Sequence, residues 1–143
     1  MIVAVDFDGT IVSADHPYGD LKTPLKLLPG AKQALTKLKR RGYVLLLYSA
    51  RANRAIREDP QLDPLIRAGV RTTTWHKFEL LQALSKARYE QMLSFVAEEL
   101  PGLFSAIDDG VQGKPEADLF IDDKIVGGFP GWVAVMKRMG HER

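Results

Sequence analysis

Met1-Ile2-Val3-Ala4-Val5-Asp6-Phe7-Asp8-Gly9-Thr10 carries an apolar run that ends by releasing two carboxylates two residues apart. A short apolar run bounded by turn residues reads as a buried strand. Carboxylates are costly to bury unless a metal ion or hydrogen-bond donors compensate them. A buried strand that delivers such a pair to a loop therefore points to a built site. Metal-assisted phosphoryl chemistry is the leading expectation from these ten residues. The plain alternative is that Asp8-Gly9 is only a turn dipeptide.

Outward from this stretch the pattern alternates strand and helix, which predicts an α/β domain with a mostly parallel sheet. Pro29-Gly30 opens a helix running to about Arg41, with Ala31, Ala34, Leu35 and Leu38 on one face. Lys37, Lys39, Arg40 and Arg41 suit the negative end of its dipole, and Gly42 suits a left-handed stop. Tyr43-Val44-Leu45-Leu46-Leu47-Tyr48 reads as a doubly buried strand ending at Ser49-Ala50-Arg51. Beyond a helix-rich connection broken near Pro60 and Pro64, Val70-Arg71-Thr72-Thr73-Thr74 is a strand candidate. Lys77 to Glu99 reads as one long helix or two short ones, with Phe78, Leu81, Leu84, Met92, Phe95 and Val96 as its apolar stripe. Further strands are expected at 104–107 and 117–121, and Trp132-Val133-Ala134-Val135-Met136 is read as the closing strand.

Composition narrows the class. The 143 residues fit a single domain over 1–143, long enough to build a core without disulfides. Zero cysteines exclude disulfides, thiolate metal sites and cysteine nucleophiles. No apolar run approaches the roughly 20 residues that span a bilayer, and no leader pattern precedes the first strand, so no membrane and a cytoplasmic location are expected. A net charge of +2 without a lysine or arginine block does not indicate nucleic acid.

In an open parallel sheet, ligands gather outside the carboxyl ends of the strands. Asp6 and Asp8 follow the first proposed strand, Ser49 the second, and Asp122 with Asp123 a later one, while Gly113-Lys114-Pro115 offers a lysine from a loop. Such a set suits a phosphate beside a hard divalent cation. Magnesium takes oxygen ligands and keeps several waters, so a few carboxylates and a phosphate suffice. Asp108-Asp109-Gly110 is a competing acidic pair, read as a loop or turn because it follows a weaker strand and precedes Lys114.

Read together, these residues resemble the haloacid dehalogenase superfamily, whose four motifs recur in order. Asp6-Phe7-Asp8-Gly9-Thr10 matches its first motif, Ser49 its strand-two hydroxyl, Lys114 its lysine, and Asp122-Asp123 its acidic pair, over about residues 2 to 135. The stretch from Ala117 to Lys124 with Val126-Gly127-Gly128 is similar to the small capless hydrolases of that superfamily. The resemblance implies a three-layer Rossmann-like fold and a magnesium-dependent phosphomonoester hydrolase acting through an aspartyl-phosphate. It makes Asp6 the nucleophile and Asp8 the acid and base. Magnesium would be held by Asp6, the Asp8 backbone carbonyl, Asp122 and, directly or through water, Asp123. Ser49 and Lys114 would bind phosphate, with Thr10 and Arg51 as weaker candidates, and Arg51 reads equally as a helix start or surface residue. His16, in the insertion that also holds Asp15 and Tyr18, would line the substrate rim or face solvent. Because halide displacement needs no acid at the second position, Asp8 favours phosphoryl transfer.

Only about 18 residues separate Ile11 from Pro29, too few for a folded cap. The 75–101 segment, which opens on Trp75 and His76, is then a small helical insertion, a crossover or an oligomer contact. A small phosphorylated substrate is the expected partner, with a phosphorylated macromolecule or a second copy of the chain as further options. Two other readings remain: a non-catalytic module that binds a phospholigand, and a receiver-like phosphorylation switch, against which the acidic pair at strand one argues.

Overall fold

The computed structural model describes residues 1–15, 20–52, 72–111 and 114–140, the backbone alone from 72 to 82. Four strands, β1 (Ile2–Asp6), β2 (Val44–Tyr48), β3 (Ala106–Ile107) and β4 (Leu119–Ile121), form an all-parallel sheet in the order β3-β2-β1-β4. Among the described residues three helices accompany it, α1 (Ala31–Arg40), α2 (Thr72–Glu99) and α3 (Trp132–Gly140), with a 3-10 turn at Ala50–Ala52. The architecture is the expected α/β class with a parallel sheet. Among the described residues no helix is long and apolar enough to cross a membrane.

The apolar runs become strands by burying one face against the helices, so the expectation that the 43–48 run is buried on both faces is corrected: β2 alternates between buried and more exposed positions. Val3 and Val5 of β1, Leu45 and Leu47 of β2 and Ile121 of β4 lie in one buried cluster with helical side chains. On the other face Ile2, Val44 and Phe120 stay 38%, 40% and 41% exposed. The α1 residues Ala31, Ala34, Leu35 and Leu38 are buried together, as their spacing requires. Its end is a Schellman turn: Tyr43 N–H donates to the Leu38 carbonyl at 3.2 Å and Gly42 N–H to that of Lys39 at 3.0 Å. Gly42 has φ +92°, the left-handed value this closure needs.

Two further expectations are corrected. Thr72–Thr74 form the first turn of α2 rather than a strand, while Val70 and Arg71 lie outside the described residues. A threonine run favours strand only weakly, and the cooperativity of a 28-residue helix outweighs it. Trp132 to Met136 belong to α3. There Trp132, Val135 and Met139 are buried while Val133 is 70% exposed, a period near 3.6 that a five-residue apolar run cannot distinguish from a strand.

The segment from Thr72 to Glu99 is a single helix. Its C-terminal half packs inward through Met92 and Val96, and the Phe95 ring meets Phe7 edge-on at 6.0 Å. Phe7 sits between the two carboxylates of the opening motif. This helix therefore braces the loop that follows β1.

Candidate active site

Parallel register brings the strand-end polar groups to one level. Val5 lies opposite Ile121, so Asp6 and Asp122 leave their strands side by side, and Tyr48 stands opposite Asp6 on β2. From β1 the chain moves outward to β2 and β3, then returns to β4 on the other side. That reversal makes the crevice beside Asp6 a topological switch point, where open α/β sheets bind ligands.

Asp6, Asp122 and Asp123 converge there, each offering an oxygen within 4.8 Å of the others. Their protonation reflects the crowding. Burial raises the Asp6 carboxyl to about 8, assisted by a hydrogen bond with Asp123 and the charge of Asp122. Burial also penalises the Asp122 charge, but donors reverse the outcome and hold it at about 2. The foremost donor is the Tyr48 hydroxyl, followed by the Lys124 N–H at 3.0 Å. Burial and the same contact with Asp122 push the Tyr48 phenol far above its ordinary value, so it remains a donor. Near neutral pH the cluster thus contains a protonated Asp6 beside an ionised Asp122.

Gly9 makes this closeness sterically accessible. It adopts φ +79°, and a Cβ there would lie 2.3 Å from Asp123 Oδ2 and 2.9 Å from its Cγ. The other oxygen, Asp123 Oδ1, is buried without a hydrogen-bond partner among the described residues. Thr10, Ile11 and Val12 N–H groups all converge on the Phe7 carbonyl, while no backbone donor among the described residues uses that of Asp8. An all-oxygen set with an uncompensated buried oxygen fits a hard divalent cation such as magnesium.

Asp8 takes a different environment. Arg51 grips it as a planar fork, Nε to Oδ2 and Nη2 to Oδ1, both at 2.8 Å. The remaining end of the guanidinium, Nη1, donates to the Arg88 carbonyl and to Gln91 Oε1 of α2, each at 2.9 Å. The guanidinium carbon sits 5.2 Å from the centroid of the Phe7 ring. Arg88 Nη2 stands 4.0 Å from Asp8 Oδ2 as a second, looser cation.

Ser49 is buried at the end of β2, its hydroxyl accepting the Arg51 N–H at 3.1 Å. Its own N–H points to Asp108 Oδ2 at 3.4 Å, and Asp108 Oδ1 accepts from Gly110 N–H at 2.8 Å. Asp108 thus pins loops at the sheet edge, and Asp109 accepts from Val111 N–H at 2.9 Å. Neither belongs to the acidic cluster of the described residues. Lys114 is exposed, its ammonium 4.4 Å from the Phe120 centroid and 6.0 Å from that of Tyr48. Thr10 is wholly buried; its carbonyl accepts the Trp132 indole N–H at 2.8 Å and its hydroxyl has no partner among the described residues. His16, Tyr18 and Gly113 lie outside the described residues, as do the side chains of Trp75 and His76; Asp15 is exposed.

Sequence reasoning missed Tyr48, Arg88 and Gln91. Tyr48 was accessible in principle, as the polar tip of a strand beside β1. Arg88 and Gln91 carry no signal, because their contact with Arg51 depends on how α2 docks.

The chain is similar to a solved structure described as that of "the conserved protein coded by locus from Bacteroides thetaiotaomicron". The two share 28% identity over 100% of this chain and 92% of that one, with a TM-score of 0.51. That description names no activity, and the likeness bears on the fold. No family model matches the chain, and no curated protein does.

Proposed function

We propose that this protein is a cytoplasmic, magnesium-dependent phosphomonoester hydrolase of the haloacid dehalogenase type, working through an aspartyl-phosphate on Asp6. The observation that carries the reading is the convergence of Asp6, Asp122 and Asp123 within 4.8 Å at the switch point of the sheet. Magnesium held by these carboxylates and the Asp8 carbonyl supplies positive charge beside the phosphate and offsets the crowding of acids.

The protein's own groups then divide the work. Asp6, which would release its proton to solvent once the cation is bound, attacks phosphorus as the carboxylate, and the bond from phosphorus to the leaving oxygen breaks with its electron pair going to that oxygen. Asp8 gives the leaving oxygen a proton, then takes one from the water that attacks the aspartyl-phosphate and regenerates Asp6. Ser49 and Lys114 offer donors to the phosphoryl oxygens, with the Lys114 side chain drawn from its place over Phe120. A small phosphorylated compound is the simplest substrate for the reading, and a phosphorylated macromolecule suits an uncapped site equally.

One observation favours the alternative of a non-catalytic phospholigand module: both Asp8 oxygens are already engaged by Arg51. Hydrolysis of a generic aryl phosphate with and without magnesium separates the two readings. Turnover that requires magnesium supports the hydrolase; binding without turnover across varied phosphomonoesters supports the module. Asp6→Asn is expected to abolish turnover and keep the fold, because the amide resembles the protonated carboxyl that Asp6 carries near neutral pH. Near-normal activity in that variant would remove Asp6 from the nucleophile role.

A further inference from the structure

We infer that Arg51 is a positioning residue for Asp8, and that α2 sets Arg51 through Gln91 and the Arg88 carbonyl. The inference rests on the hydrolase reading and adds a role for α2 that the motifs do not contain.

Three features carry it. First, the Arg51 side chain is only 1% exposed, against 28% for Asp8. Water therefore has little access to the guanidinium, whose orientation is determined by its protein partners. Second, those partners lie on both sides. Nη1 is anchored to α2 by two acceptors, and Nε with Nη2 presents a fork to Asp8. A guanidinium is planar, so fixing Nη1 also fixes the plane and direction of the opposite edge. Third, the Asp8 backbone lies in a loop closed by three hydrogen bonds onto the Phe7 carbonyl, which leaves side-chain rotation as its main freedom. The fork removes that freedom.

The arrangement is compatible with proton transfer. A carboxyl group has about four lone-pair sites, and a bidentate arginine uses one on each oxygen. The remaining site on each oxygen is available to carry the proton that passes to the leaving oxygen, or to receive one from the attacking water. Arg51 touches neither the phosphorus nor the leaving group in this scheme. It lowers the barrier by holding Asp8 in one orientation, and misplacement by even about 1 Å is costly to such a step.

The dependence on leaving group tests this. A nitroaryl phosphate expels an oxygen that needs little protonation, whereas an alkyl phosphate depends on the acid. The probe is kcat/KM in saturating magnesium across a series from nitroaryl to alkyl phosphates, for the wild type, Arg51→Lys and Gln91→Leu. Lysine keeps the charge and loses the fork. Since general acid catalysis contributes about 10²–10⁴-fold, Arg51→Lys is expected to lose at least about tenfold more on alkyl than on nitroaryl phosphates. Gln91→Leu should tilt the series in the same direction by a smaller factor, and it serves alone if Arg51→Lys does not fold. Equal losses across the series, or a rise in KM with kcat unchanged, would overturn the inference and make Arg51 a structural or phosphate-binding residue. A wild type that turns over none of the series overturns the hydrolase reading and this inference with it.

Discussion

Replacing Gly9 by alanine separates backbone strain from steric collision, because Gly42 provides an internal control. Both glycines have left-handed backbones, φ +79° and φ +92°. A Cβ at Gly42 meets nothing within 4 Å, whereas one at Gly9 falls 2.3 Å from Asp123 Oδ2. The left-handed conformation costs a residue with a Cβ about 1–2 kcal/mol, which is the whole expected effect of Gly42→Ala. Gly9→Ala adds the displacement of a packed carboxylate, an overpacking cost of about 1–3 kcal/mol, for about 2–5 kcal/mol in all. Asp123 cannot yield without leaving Asp6 and Asp122, so the same change should impair magnesium binding. The assay is denaturant unfolding with and without magnesium. For the wild type and Gly42→Ala, magnesium at ten times its dissociation constant should add about 1.4 kcal/mol, and for Gly9→Ala at the same concentration it should add much less. A Gly9→Ala protein within about 0.5 kcal/mol of Gly42→Ala, with the full magnesium increment, would refute the claim that glycine is needed there to admit Asp123.

Other perturbations read the same site. Asp6 holds its proton up to about 8, against an ordinary value of 3.8, so its contribution to stability is full below about 3.8 and disappears as pH rises through about 8. The metal-free protein should therefore lose stability from pH 5 to 8, a window in which Asp122, held near 2, stays ionised in both states. Thermal unfolding at several pH values tests this, and a flat or rising profile from Asp6-containing protein matched by Asp6→Asn would contradict it. Below pH 8 magnesium binding should release a proton from Asp6, measurable as a dependence of binding heat on the buffer's ionisation enthalpy. Tyr48→Phe keeps the edge-on contact with Phe120 but deletes the donor to Asp122. With Asp122 partly open to solvent, the loss should be about 1 kcal/mol in denaturant unfolding and should raise the Asp122 titration midpoint measured by carboxyl NMR.

The acidic centre was legible because each of its members follows a simple rule. Buried apolar runs become parallel strands, and the residue just past each run emerges at the same edge, so Asp6 and Asp122 had to meet once β1 and β4 were neighbours. The α1 face and its Gly42 stop were legible for similarly local reasons. Two kinds of information lay beyond reach. Trp132 to Met136 is too short a run to declare its period, and only the burial of Met139 and exposure of Val133 identify a helix. Arg51 meets Asp8 across 43 positions and Gln91 across 40, and no spacing rule couples residues that far apart.

The motifs give Asp6 and Asp122 different roles, nucleophile and metal ligand, and their surroundings give them different protonation states as well. Asp6 and Asp122 stand at the same level of adjacent strands, yet one is pushed up to about 8 and the other held at about 2. The difference comes first from burial, which is deeper at Asp6, and then from donors: Tyr48 and the Lys124 N–H serve Asp122, and among its neighbours Asp6 finds chiefly other acids. Asp8, two residues further on, is claimed by a guanidinium instead. A motif supplies carboxylates at the right places, but the aromatic tip of β2 and the inward face of α2 determine which acid is poised to lose a proton and which is held in place.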